Sequence, residues 1–397
     1  MSVRVSLADA MAGDQQPSRA ATLGRIADLL DRNGIDVAEI GAITKVSLWQ
    51  GFSKDEATGE NNVVDLMGVQ LSPTWETGPQ WPVVQPAAPV IAKPRPAPKA
   101  QRLERTIVIL PDPQIGYRRD EQGNLDPFHD ETAIDVALQI VQAAKPDLVV
   151  TLGDSCDFPE WSNKFLVSPE MVLTTQPTID RLHRFIAEQI TAAPDGCTFA
   201  LLEGNHDARL PMAITRNAMA ALRLRRANTP QDWPVLSMPH LLRLDDFGTL
   251  TDGTQRVNYV AGYPAGRLQL ASGSDHITGL WAIHGERLTV SAVAKNERQS
   301  FVQGHIHRLQ DHWETYDLAG QPVVVNAWSP GCLCRIDGAV PSVRGATDPR
   351  GRPVHRVEAW QQGCAVITVA ADGTWSKELV HISNGRAIWR GKEYRCG

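Results

Sequence analysis

Five short polar clusters hold most of the side chains in this sequence that could do chemistry. They are Asp112-Pro113-Gln114, Gly153-Asp154-Ser155-Cys156-Asp157, Gly204-Asn205-His206-Asp207, His284-Gly285-Glu286 and Gly304-His305-Ile306-His307. Carboxylate, amide and imidazole donors in this mixture suit Mn²⁺, Fe, Zn²⁺ or Mg²⁺. Two such ions roughly 3.5–4 Å apart can share a carboxylate and clamp a phosphoryl group. Asp154 is the expected shared ligand. Taken singly, a His is more often a surface or core residue than a ligand, and a Gly-Asp after a strand is often a helix cap. The ordered set of five is what points to metal chemistry.

Each cluster follows an apolar run that reads as a buried strand: 106–110, 148–152, 198–202, 280–283 and 300–303. Helical periodicity at 132–144, 179–192 and 212–226 separates the early strands, which predicts parallel strands joined by helical crossovers. The ends of parallel strands gather at one edge of a sheet, where α/β proteins keep their ligands. Beyond Asp245 the pattern turns strand-rich, with runs at 257–261, 312–317, 322–327, 364–370, 375–381 and 387–390. Asp372-Gly373 and Asn384-Gly385 have hairpin-turn chemistry. Residues 337–356, rich in Gly, Pro and Arg, read as a surface loop.

In order and spacing the clusters resemble the signature of the calcineurin-like metallophosphoesterase superfamily: D-x-H, GD-x-x-D, GNH-D/E, H and GH-x-H. The resemblance covers about 106–333, and Asn326 to Gly331 matches that family's asparagine-to-proline-glycine stretch. With its N-terminal addition the whole chain looks like predicted phosphoesterases carried by bacteriophages. The resemblance implies an α/β fold, a four-layer αββα sandwich of two mixed sheets. It implies two divalent ions, Mn²⁺ first among Mn²⁺, Mg²⁺, Fe and Zn²⁺. One ion would be held by Asp112, Asp154, His307 and Gln114, the other by Asp154, Asn205, His284 and His305. It further implies phosphoester hydrolysis by a metal-bridging hydroxide. His206 would be the general acid, and Asp157 would orient it and favour its cationic form. Arg209 is a candidate phosphate contact. A nucleic acid or a nucleotide is the expected substrate. The alternative is a non-catalytic scaffold or binding protein on the same fold.

Two positions depart from the family pattern. Gln114 stands where the first motif usually ends in His; an amide oxygen binds hard cations but is a weaker ligand for Zn²⁺ or Fe. Phe158-Pro159 follows Asp157, where the protein Ser/Thr phosphatases of the superfamily carry Arg-Gly with the Arg on phosphate.

The rest of the chain bounds the setting. Its 397 residues suffice for one large domain and a smaller one, read as a small α+β interaction module (1–76), a Pro-rich linker (77–104) and the metallophosphoesterase domain (105–397). In the module a helix over 18–33, a short second helix over 37–43 and a hairpin of 45–49 with 63–69 are expected. That layout is compatible with a winged helix-turn-helix, but 37–43 has no Arg or Lys, which favours a protein-docking role. A net charge of −6 excludes a strongly basic nucleic-acid coat. Six cysteines without a CxxC pair read as reduced thiols. Cys332 and Cys334 could point to one face of a strand. With no apolar signal core and no membrane-length run, a cytoplasmic protein without membrane contact is expected.

Overall fold

The computed structural model describes residues 17–36, 38, 40–73, 105–164, 167–228, 233–341 and 357–397. The proline-rich linker lies outside these, as do residues 342–356 of the long loop. The chain divides into two compact units, Met1–Pro98 and Lys99–Gly397.

The first unit is one helix, α1 (Pro17–Arg32), and a hairpin of β1 (Ile40–Lys54) with β2 (Asn61–Pro73). Ile26 and Leu30 are one helical turn apart and pack on Met67 and Val69 of β2. Asn33-Gly34 ends the helix, Gly34 taking φ +67°. Of the short second helix expected over 37–43, residues 37 and 39 lie outside the described residues, and 40–43 instead pair with 71–73 as the start of β1. Cross-strand pairing outweighs the weak helical preference of 40–43.

The second unit is mixed α/β with two large mixed sheets and few helices. In chain order it contains β3 (Arg105–Leu110), β4 (Tyr117–Arg119), β5 (Leu125–Pro127), α2 (Glu131–Ala144), β6 (Leu148–Thr151), α3 (Thr175–Ala192), β7 (Thr198–Leu202) and α4 (Arg209–Asn217). There follow β8 (Val257–Val260), β9 (Arg267–Ser274), β10 (Ile277–Ile283), α5 (Val290–Glu297), β11 (Ser300–Gln303), β12 (Leu309–Leu318) and β13 (Gln321–Pro330). The chain closes with β14 (Gln362–Val369), β15 (Trp375–Ser383), β16 (Arg386–Trp389) and β17 (Lys392–Arg395).

The larger sheet runs β17-β16-β15-β14-β3-β6-β7-β8, and β3, β6, β7 and β8 are parallel. The smaller runs β12-β13-β11-β10-β9, with β10, β11 and β13 parallel. Side chains alternate across each strand, so each sheet contributes to two cores. Ile107, Ile109, Val150 and Leu202 of the larger sheet meet Leu280, Val302 and Trp328 of the smaller in one shared core. On its other face the larger sheet packs Val108, Leu110 and Val149 against Ile134, Ile140, Leu182 and Phe185 of α2 and α3. The smaller sheet packs Phe301 and Val325 against Val290 and Val293 of α5.

Helix α2 begins where Asp130 accepts from the backbone N–H of Thr132 and Ala133. The helix expected over 212–226 is shorter and earlier: α4 stops at Asn217, and Arg223 to Arg226 lie exposed beyond it. Among the described residues no helix is long and apolar enough to cross a membrane.

Candidate metal centre

Five strands, three parallel in the larger sheet and two parallel in the smaller, deliver the polar clusters to one place. Asp112 follows β3, Asp154 follows β6, Asn205 follows β7, His284 follows β10, and His305 with His307 follows β11. Backbone bonds lash the first two loops together: Gln114 N–H donates to the Asp154 carbonyl at 2.9 Å, and Asp157 N–H to that of Ile115 at 2.9 Å. The two sheets are joined at the same point, where His305 N–H donates to Asp112 Oδ1 at 2.9 Å. Asp112, Gln114, Asp154, His305 and His307 all have positive φ, between 40° and 70°. Non-glycine residues take that conformation at a cost, and such strain collects at functional sites.

Glycines admit the close approach. A Cβ on Gly304 would stand 2.8 Å from Asp112 Oδ2, and one on Gly153 only 2.5 Å from His284 Nδ1. The glycines that precede Asp154, Asn205 and His305 in the sequence therefore serve packing as well as turning.

Two ligand sets result. The ligating atoms of Asp112, Asp154 and His307 lie within 4.8 Å of one another, and so do those of Asp154, His284 and His305. Asp154 belongs to both. His284 Nε2 is 3.3 Å from Asp154 Oδ1 and 3.1 Å from Asn205 Oδ1, which puts the amide on the second set. Gln114 sits on the first, its Nε2 3.1 Å from His307 Nε2. His284 Nδ1–H donates to the Leu152 carbonyl at 2.9 Å, leaving Nε2 for the site.

These residues fit a divalent cation. Lewis bases converge at each set and repel one another unless positive charge stands among them. Asp112 Oδ2 and Gln114 Oε1 are buried without a hydrogen-bond partner, a costly state that a cation relieves. The electrostatics of the buried groups point the same way. Burial opposes a charge on His284, yet Asp154 and Asp112 raise its pKa to about 9. Burial also opposes the Asp154 charge, but His206 and His284 hold that carboxylate well below its usual range. Burial, then His284, lowers His305 to about 4, which suits a neutral imidazole at a metal site.

Beside the ligands stands a buried pair. His206 Nδ1 is 2.5 Å from Asp157 Oδ1, and His206 N–H donates to Asp154 Oδ1 at 2.8 Å. Arg209, 7 % exposed, donates from Nη1 to the Asp157 carbonyl at 2.5 Å and from Nη2 to His206 Nε2 at 3.1 Å. A guanidinium can only donate, so Nε2 accepts and the ring proton is on Nδ1. The ring thus stands between the Asp157 carboxylate at Nδ1 and the Arg209 guanidinium at Nε2. Phe158 is fully buried in the core with side chains of α2 and α3.

Three features escaped the sequence reading. Asp207 accepts from Ser155, Cys156 and Gly204 N–H at 3.1, 2.8 and 2.9 Å, clamping the Asp154 loop to the Asn205 loop. The GNHD pattern held that residue but not its partners. Cys332 and Cys334 are buried beside His307, and the three ligating atoms lie within 4.8 Å of one another. Trp360 packs edge-on against His307, ring centroids 4.2 Å apart. Asn326, expected from the family stretch, is buried in β13 and bonded to Asp311 and Lys377. No protein-family model matches the chain, and no curated protein matches it.

Proposed function

We propose that the chain is a dimetal phosphoesterase of the calcineurin-like superfamily, its two mixed sheets and outer helices forming that superfamily's αββα sandwich. The observation that supports this best is the pair of ligand sets sharing Asp154 with the His206–Asp157 pair alongside. Oxygen-rich donors, with Gln114 in place of an imidazole, favour Mn²⁺ or Mg²⁺ over Zn²⁺. A divalent pair bound there would supply Lewis-acid charge for the phosphoryl group and an activated water as nucleophile.

The chain's own residues do the rest. Asp112, Asp154, Asn205, His284, His305 and His307 fix the electrophile, with Gln114 completing the first set. Asp157 holds the His206 ring by its Nδ1–H. Arg209 brings a guanidinium to the corner that Phe158 leaves uncharged, and a phosphoryl oxygen entering there competes with His206 for it. Released from Arg209, His206 Nε2 is free to take up a proton from solvent, and the ring, still held at Nδ1 by Asp157, can then give that proton to the leaving oxygen. Nucleic acids and nucleotides are the substrate classes proposed, and the helix–hairpin unit is read as a protein-docking module.

The test is hydrolysis of bis-p-nitrophenyl phosphate by protein loaded with Mn²⁺, followed by a panel of nucleic acids, cyclic nucleotides and phosphomonoesters. Metal-dependent turnover abolished in Asp154→Asn supports the reading. Metal-replete protein inert on every substrate refutes it.

A further inference from the structure

The loop after β8 is tied to the metal centre by one side chain. Glu203 follows the last residue of β7 and immediately precedes Gly204-Asn205. Its Oε2 accepts from the backbone N–H of Gly262 at 2.7 Å and of Tyr263 at 2.9 Å. Its Oε1 accepts from the Tyr259 hydroxyl at 3.2 Å. Glu203 N–H also donates to the Val260 carbonyl at 2.9 Å. A carboxylate with three donors on its two oxygens is a fixed bracket, so Asn205 and Tyr263 are held from the same residue.

The bracket sets the Tyr263 ring against a ligand. Its centroid is 5.8 Å from that of His284, inclined at 62°. The ring is half-buried, and among the described residues its hydroxyl has no hydrogen-bond partner. A phenol titrates at about 10, so the hydroxyl is an O–H donor at neutral pH. A protonated donor beside the second ligand set, on a loop built to hold it, suits an incoming anion.

We infer that Tyr263 is a substrate-contact residue of the proposed phosphoesterase site, donating its O–H to a non-bridging phosphoryl oxygen on the Asn205–His284 side, and that Glu203 is its positioning residue. The inference rests on the phosphoesterase reading for the identity of the anion, and it adds a donor that no motif in the sequence marks.

The experiment measures binding and turnover separately. Inorganic phosphate is titrated calorimetrically into Mn²⁺-loaded wild type, Tyr263→Phe, Glu203→Ala and the double variant, with metal content and thermal midpoint recorded for each. Loss of one hydrogen bond to an anion weakens phosphate binding by roughly 10-fold in Tyr263→Phe, with metal content unchanged. Glu203→Ala shows a similar loss in the wild-type background and little further loss when Tyr263 is already Phe. Phosphate affinity unchanged in Tyr263→Phe, or no phosphate binding by the loaded wild type, overturns the inference. An equal Glu203→Ala loss in both backgrounds removes Glu203 from the positioning role. Wild-type protein that binds phosphate in a Tyr263-dependent way yet turns over no substrate upholds the contact and refutes the enzyme.

Discussion

A Cβ built on Gly204 falls 2.1 Å from the backbone nitrogen of Asp154 and 2.2 Å from its Oδ1. The shared carboxylate and the loop carrying Asn205 thus touch at a position with no room for a methyl group. Gly204→Ala is expected to move Asp154 without removing any ligand. Mn²⁺ affinity, read by calorimetry, should fall by more than about 10-fold, on the scale of lost supporting contacts around a metal. Unchanged affinity in a variant with native far-UV dichroism would show that the contact does not set the site.

The two ligand sets differ in what each substitution removes. Asp112→Asn touches only the set with His307, whereas Asp154→Asn touches both. After dialysis against Mn²⁺, elemental analysis should find about one ion per chain in the first variant and close to none in the second. Equal metal content in the two would mean that Asp154 is not shared.

The His206 ring lies between two opposed groups, the Asp157 carboxylate at Nδ1 and the Arg209 guanidinium at Nε2. His206→Ala should lower kcat by about 10²–10⁴ with metal content intact. Arg209→Ala should mainly raise KM, by roughly 10-fold for one lost charge-assisted bond. Arg209→Lys should recover only part, since a lysine cannot span two partners as the fork does. Steady-state kinetics on bis-p-nitrophenyl phosphate separate these outcomes.

Much of this was legible in the sequence. The strands after which the ligands come are short apolar runs closed by Gly or Asp, and that punctuation is local. What was not legible is pairing. β9 (Arg267–Ser274) is an edge strand whose alternation is diluted by Gln269 and Ser272, so only its bonding to β10 defines it. α5 (Val290–Glu297) has no side-chain cap bond and is held by packing of Val290 and Val293 on the smaller sheet. Residues 40–43 follow the same logic in reverse, recruited to a strand by partners about thirty residues away. In the site, ligand types follow from the motifs, but the three bonds of Asp207, the Glu203 bracket and the cysteines beside His307 join segments that nothing in the linear order connects.

The charges predict how pH acts on metal-free protein. The folded pKa of His284, about 9, exceeds its ordinary 6.5. Its contribution to stability is complete below 6.5 and lost as pH rises through 9. Asp207 acts in the same direction over an earlier window: burial and Asp154 raise it to about 7 from 3.8, so its contribution is complete below 3.8 and already lost by pH 7, leaving the fall above that to His284. The thermal midpoint of chelated protein should therefore fall between pH 6.5 and 9. Metal binding needs a neutral His284 Nε2, so affinity grows over the same window. The rise in midpoint on adding Mn²⁺ should widen with pH. A constant or narrowing gap, in paired scans at each pH, would contradict the assignment of His284 as a ligand.

The most direct measurement is anomalous diffraction at the manganese edge from crystals grown with Mn²⁺. Two peaks roughly 3.5–4 Å apart are expected, one on each side of Asp154, the first against Asp112 and His307 and the second against Asn205, His284 and His305. A single peak among His307, Cys332 and Cys334, or no peak touching Asp154, would contradict the shared-carboxylate centre and the hydrolase built on it.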